Sequence, residues 1–280
     1  MEVSSKRSDP LAINSAQIRK LLVSFIRDET RNVGLDRGVV GLSGGVDSAV
    51  SCFLAAEALG KRNVLAVMMP YTSSSPESLT DAQEVIKRLG VRSETVDITP
   101  AVDAFAVGAG RPDRVRKGNV MARARMIVLY DRSAKENGLV IGTGNKTEIL
   151  LGYTTHYGDD ACGINPLGDL YKSQVWELAK ELGVPERIIR KKPSADLWEG
   201  QTDEGELGVS YGEVDRLLYH LVDERRSDGE LRKLGFEKRL LEKVKRLMRR
   251  NQFKRRPPLI AKVSYRTVNV DFRYARDWGT

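Results

Sequence analysis

The run Gly41-Leu42-Ser43-Gly44-Gly45-Val46-Asp47-Ser48 follows an apolar stretch and precedes apolar residues at helical spacing, Val50, Phe53, Leu54 and Leu59. A strand therefore stops here and a helix begins. Gly44 and Gly45 let backbone N–H groups turn toward a guest with no Cβ in the way. Ser43, Asp47 and Ser48 crowd the new helix N-terminus, where free amides and the helix dipole favour anions. The chemistry this permits is capture of a phosphate-like group by amides and hydroxyls, with one carboxylate beside it. A plain strand-to-helix turn needs only one glycine and one cap, and for this run alone that alternative stays open. The run is neither GxxxxGK[ST] nor GxGxxG, which disfavours a Walker loop and a nicotinamide-dependent dehydrogenase. Ser43 is not expected to be a nucleophile, because the loop is not GxSxG and no histidine lies near it in sequence.

One further residue could join this site. Glu148, in "GTGNKTE", begins a helix just after a strand end, where its carboxylate could face Asp47. A glutamate complementing a helix dipole is the competing explanation. Lys172 opens an otherwise amphipathic helix, where an exposed lysine is ordinary. Other catalytic classes have little material. The chain has 2 cysteines, Cys52 and Cys162, and 2 histidines, His156 and His220. A disulfide framework, a structural zinc site and a histidine triad are therefore disfavoured, and a reducing cytoplasm is the expected location. No apolar run is long enough to span a membrane, and "MEVSSKRSDP" has no signal-peptide core.

Alternating strands and helices must position these residues. A first amphipathic helix carries Ile18, Leu21, Leu22, Phe25 and Ile26 and ends near Gly34. Strand 39–42, helix 48–59, strand 64–69, helix 77–89 and strand 91–97 follow. Helical patterns at 99–106 and 119–137 lead to a strand at 139–143. This order predicts an α/β fold, a Rossmann-like parallel sheet with helices on both faces and a helical C-terminal part. Ligands in such sheets sit beyond the carboxyl ends of the strands, where "SGGVDS", "PYTSSS" and "GTGNKTE" all fall. One domain, residues 1–280, is expected, with a loose tail at 1–13. Residues 225–256 hold 14 Lys/Arg against 4 Asp/Glu, whereas the rest of the chain holds 32 against 34. Phe236, Leu240, Leu241, Val244, Leu247 and Met248 fall on one helical face there, so the basic residues are read as the solvated side of a docked helix. A nucleic-acid surface is disfavoured because no aromatic residues interleave to stack bases.

"SGGVDS" resembles the pyrophosphate-binding loop of the ATP pyrophosphatase superfamily (adenine nucleotide alpha hydrolase-like). The segments "KGNVMARARM", "IGTGNKTEILLGYTTHYGD", "PLGDLYKSQVWELAKELGVPERII", "KPSADLWEGQTDEGELGVSYGEVD" and "FKRRPPLIAKVSYRT" follow in that order. Together with the loop they resemble the NAD synthetase family over most of the chain. The resemblance implies ATP-dependent amidation of deamido-NAD by ammonia, through an acyl-adenylate, giving NAD, AMP and pyrophosphate. It implies Mg2+ held by Asp47 and Glu148. It implies an ATP site of Gly41, Leu42, Ser43, Gly44, Gly45, Val46, Asp47, Ser48, Thr143, Lys172 and Ser194, with Asp47 and Lys172 catalytic. Arg123, His156, Asp159 and Lys254 would contact deamido-NAD. His156, Gly163 and Phe253 depart from the short bacterial pattern and resemble the glutamine-dependent branch instead. A homodimer with Arg123 near its interface is implied, and residues 196–212 are expected to form a lid. With only residues 1–38 before the loop and no amidase motif around either cysteine, free ammonia is expected as the nitrogen donor, with a separate ammonia-supplying protein as a partner in the cell. Two other readings remain at this point. Another ATP pyrophosphatase, tRNA-modifying or GMP-forming, fits the loop but not "PSADLWEGQTDE" or the lack of paired cysteines; a non-catalytic nucleotide-binding module fits only if Asp47, Glu148 and Lys172 are idle.

Overall fold

Four short parallel strands form the centre of the protein: β1 (Arg37–Gly41), β2 (Val64–Met68), β3 (Arg92–Thr95) and β4 (Gly138–Ile141). This is a computed structural model, and it describes residues 9–108, 113–194, 205, 208–268 and 270–272. The spatial order is β3-β2-β1-β4. Val40 pairs with Ala66 on one side and Ile141 on the other, so β1 is the strand at which the order reverses. In open parallel sheets the crevice beside such a strand is where ligands bind. The expected α/β architecture is the one observed.

Alternation along the strands divides the core between the two faces. Val39, Leu65 and Val67 pack on one side with Val128 and Leu129. Val40, Val64, Ala66 and Met68 pack on the other with α1 (Ser15–Asn32), α2 (Val46–Leu59) and α7 (Lys172–Leu182). Val128 and Leu129 belong to α5 (Arg114–Glu136), which starts five residues earlier than its periodicity suggested. Its cap explains the difference, since Asp113 accepts the Arg116 N–H at 2.8 Å. α3 (Pro76–Leu89) starts with Pro76 behind the Ser75 cap, where a missing N–H costs nothing. α4 (Thr99–Gly108) connects β3 to α5.

The remaining helices are α6 (Lys146–Leu151), α8 (Glu186–Arg190), α9 (Tyr211–Leu218), α10 (Asp228–Lys233) and α11 (Lys238–Arg250). α9 continues into a π-helical turn, Tyr219–Asp223. α8 packs Ile188 and Ile189 into the sheet-side core, and the others build a second apolar cluster from Leu151, Tyr171, Tyr211, Leu217, Leu231 and Leu241. α11 buries Leu240, Leu241 and Val244 in it and leaves its basic residues outside. Leu11 also enters this cluster, and its carbonyl accepts from Gln174 Nε2 at 3.1 Å. The expected loose tail is thus corrected for residues 9–13: an apolar side chain with a place in the core docks there. Among the described residues no helix is long and apolar enough to cross a membrane.

Candidate active site

The cleft opens beyond the carboxyl ends of β1 and β4 and has a volume of about 1060 Å3. Its floor is the turn from β1 into α2. Gly44 has φ +81°, and a Cβ there would lie 2.1 Å from the Ser78 carbonyl oxygen. No other residue fits that position without moving α3. Ser48 Oγ accepts the Ser43 N–H at 3.2 Å, lies 3.0 Å from Ser43 Oγ and donates to the Gly45 carbonyl at 3.0 Å. Ser43 Oγ accepts the Gly45 N–H at 3.3 Å. The two hydroxyls therefore brace the turn as well as facing the cleft.

Asp47 lies in the first turn of α2, as expected from its place after the glycines. Opposite it, Asn145 caps α6: its Oδ1 accepts the Glu148 N–H at 3.0 Å while Glu148 Oε2 accepts the Asn145 N–H at 3.3 Å. This reciprocal pair fixes the Glu148 side chain at the helix start. Asn145 Nδ2 also donates to Asp47 Oδ1 at 3.0 Å, tying the two strand ends together. Lys172 comes from the first position of α7 and is 2 % exposed, so it is no ordinary surface lysine. Its Nζ forms an ion pair with Asp47 Oδ2 and lies 3.4 Å from Glu148 Oε1. It also lies 5.2 Å from the centre of the Tyr211 ring. A buried ammonium is tolerable only with such company.

Hard oxygen donors, amides and hydroxyls thus converge on one place. Among the described residues no cluster of three or more His, Cys, Asp and Glu side chains forms a metal cage. A cation held by Asp47 and Glu148 would need further oxygens from phosphate, which is how Mg2+ is commonly bound. The donor set therefore fits Mg2+ carried with a polyphosphate.

The other residues singled out in the sequence separate into groups. Gly41, Leu42, Ser43, Gly45, Val46, Ser48, Thr143 and Ser194 line the cleft, as do Asp159 and Lys254. Arg123 and His156 do not line it. They meet each other instead, with Arg123 Nη2 donating to the His156 carbonyl at 3.1 Å. Lys254 Nζ donates to the carbonyls of Gly152, at 2.7 Å, and Thr154, at 2.5 Å. Its ammonium is therefore held at the C-terminal end of α6 rather than extended toward a guest. Of the positions expected to depart from the short bacterial pattern, two meet and the third lies elsewhere. The His156 and Phe253 rings meet edge to face at 6.1 Å, and a Cβ on Gly163 would lie 2.4 Å from Leu139 Cδ1. Residues 196–204, 206 and 207 of the expected lid lie outside the described residues.

Sequence reasoning missed Asn145, although Asn-x-x-Glu before a helix is a capping signature. It also missed Arg125 and Lys191, which line the cleft. Lys191 Nζ donates to Ser78 Oγ at 3.1 Å and Asp81 Oδ2 at 2.8 Å, which pins its segment to α3 behind the glycine turn.

The family model described as NAD synthase matches residues 18–258. An NH(3)-dependent NAD(+) synthetase from Chlorobium phaeobacteroides is 55% identical over 96% of this chain and 97% of its own length. An NH3-dependent NAD synthetase from Campylobacter jejuni, solved with nitrate, superposes with a TM-score of 0.78 at 36% identity, covering 90% of this chain and all (100%) of that one. An NMN synthetase from Francisella tularensis superposes with a TM-score of 0.81 at 36% identity, over 90% of this chain and 100% of that chain.

Proposed function

Because this chain belongs to the NAD synthase family, we propose that it makes NAD from deamido-NAD, ATP and ammonia, releasing AMP and pyrophosphate. The observation that carries this reading is the Asp47–Lys172–Glu148 cluster, set against the glycine turn at the reversal point of the sheet. The alternative of a tRNA-modifying or GMP-forming pyrophosphatase has no support in the family match. An ionised carboxylate is a poor electrophile for an amine, so the reaction needs an acyl-adenylate. The nicotinate carboxylate of deamido-NAD attacks the α-phosphorus of ATP, and the bond to pyrophosphate breaks. Ammonia then attacks the acyl carbon and AMP leaves.

The amides of residues 44–48 and the hydroxyls of Ser43 and Ser48 receive the departing pyrophosphate. Lys172 would exchange its carboxylate partners for phosphate oxygens, leaving Asp47 and Glu148 to hold a Mg2+ ion. When bound, that ion would neutralise charge building on the leaving group. Thr143 and Ser194 border the nucleotide. Holding carboxylate and α-phosphate in line is worth up to ~7–11 kcal/mol, and prearranged charge adds to it. Asp159 and Lys254 shape the part of the cleft nearest the deamido-NAD nicotinate, while Arg123 and His156 act from its rim.

Arg123 stands on the face of α5 that also exposes Val115, Ile127 and Tyr130, at 66, 63 and 42 %. A second copy of the chain covers this stripe in a homodimer, which brings a partner surface to the rim. The enzyme works in the cytoplasm.

Incubation with ATP, Mg2+, ammonium and deamido-NAD, with NAD and AMP measured together, tests the reading. Equal amounts of NAD and AMP are expected. The similarity to an NMN synthetase favours a second reading, a mononucleotide substrate. Nicotinate mononucleotide run in parallel distinguishes them, and faster amidation of the mononucleotide would replace the first reading with the second.

A further inference from the structure

Behind the cluster just described lies a carboxylate with no part in the scheme above. Asp215, on α9, has no solvent exposure (0%) and sits among the apolar residues Val214, Leu217 and Leu218. Burying a carboxylate there is costly unless both oxygens find donors. Both do. Oδ1 accepts the Thr147 hydroxyl at 2.5 Å, and Oδ2 accepts the Ser173 N–H at 2.8 Å. Thr147 Oγ1 in turn accepts the Lys172 N–H at 3.0 Å.

The two donors are telling. Thr147 immediately precedes Glu148, and Ser173 immediately follows Lys172. One carboxylate therefore grips the first turns of α6 and α7, the two elements that present Glu148 and Lys172 to Asp47. Asn145, Thr147, Lys172 and Asp215 are four of the ten buried polar residues described. Through Asp47 they form one hydrogen-bonded chain from α9 to the glycine turn. Tyr211, one turn earlier on α9, adds its ring face to the Lys172 ammonium. Burial pushes the Asp215 carboxyl above the usual carboxylate range, whereas the bonds from Thr147 and Ser173 favour the anion and oppose that rise.

We propose that Asp215 is a positioning residue for the amidation reaction, setting the relative placement of Lys172 and Glu148 through Thr147 and the Ser173 amide. This rests on the reading of the cluster as the ATP site. Asp215→Asn is the informative change. It keeps the shape but replaces one acceptor with a donor, so either the Thr147 hydroxyl or the Ser173 amide loses its partner. Asp215 acts only through Lys172 and Glu148, whose placement matters most as charge builds on the leaving group, so its removal should act on turnover more than on ATP binding.

The expected result is a fall of about 10–100-fold in kcat, the range typical of supporting residues behind a charged site, with KM for ATP nearly unchanged. Thr147→Ser, which keeps the hydroxyl, should retain wild-type turnover, whereas Thr147→Val should resemble Asp215→Asn. A second measurement is independent of activity. Acetic anhydride labelling of Lys172, followed by mass spectrometry in folded protein, should rise several-fold in Asp215→Asn while surface lysines label as before. Unchanged kcat per folded molecule, or unchanged Lys172 labelling, would overturn the proposal. Should the wild type make neither NAD nor nicotinamide mononucleotide, the amidation reading fails, and the labelling alone then decides whether Asp215 positions Lys172.

Discussion

At the scale of single residues, the site places charges that repel or attract strongly where a polyphosphate can settle the balance. Asp47 and Glu148 share one ammonium. Asp47→Asn and Glu148→Gln should each reduce adenylation, followed as exchange of pyrophosphate into ATP, by about 100-fold or more, beyond the usual cost of outer-shell changes. Glutamine can still complete the α6 capping box, so Glu148→Gln should fold normally. Exchange at the wild-type rate in either variant would remove the Mg2+ assignment. Gly44 makes a different kind of demand. Gly44→Ala must bear a left-handed backbone, costing about 1–3 kcal/mol, and a Cβ placed 2.1 Å from the Ser78 carbonyl. Its urea midpoint should drop measurably; an unchanged midpoint would mean that the turn relaxes freely.

At the scale of elements, what could be read in advance was what local chemistry writes into local sequence. The strands, α2, α3 and the body of α5 follow from apolar spacing and the end of α1 from Gly34, whereas the Ser75 and Asp113 caps that start α3 and α5 emerged only in the structure. Asp47 and Glu148 were legible because a glycine turn and a helix start place them after strands. Asp215 was not, since one aspartate in the apolar stripe of α9 looks like any helix carboxylate until α6 and α7 are packed against it. Nor could periodicity reveal that Lys254 spends its ammonium on the carbonyls of Gly152 and Thr154, a contact about 100 residues away in sequence. α5 carries the element-scale prediction. Its exposed stripe of Val115, Ile127 and Tyr130 beside Arg123 is the proposed dimer surface. Ile127→Glu would bury a charge there without disturbing the core, because Ile127 is 63 % exposed in the single chain. Sedimentation velocity should find the wild type as a dimer and this variant as a monomer with lower activity. A wild type that is fully active as a monomer would defeat the idea.

At the scale of the whole molecule, the question is where the nitrogen comes from. Glutamine can supply ammonia only if an amidase nucleophile, commonly a cysteine thiolate, opens its side-chain amide. The chain offers two thiols. Cys52 is fully enclosed in the core between sheet and α1, and burial pushes its pKa up to about 12. Cys162 packs against Gly142 at the exit of β4, where burial, reinforced by the Asp160 charge, raises its pKa to about 11. A raised thiol pKa means less thiolate at any working pH, and reactive cysteines lie well below that pKa range. Native protein should therefore react slowly with a disulfide reagent at pH 8, and both thiols should react promptly after unfolding. Ammonia is therefore the expected nitrogen donor. Ammonium salts should support NAD formation and glutamine almost none. Glutamine rates matching ammonium rates, in protein freed of contaminating ammonia and amidase, would mean that some other residue of this chain performs the amide cleavage.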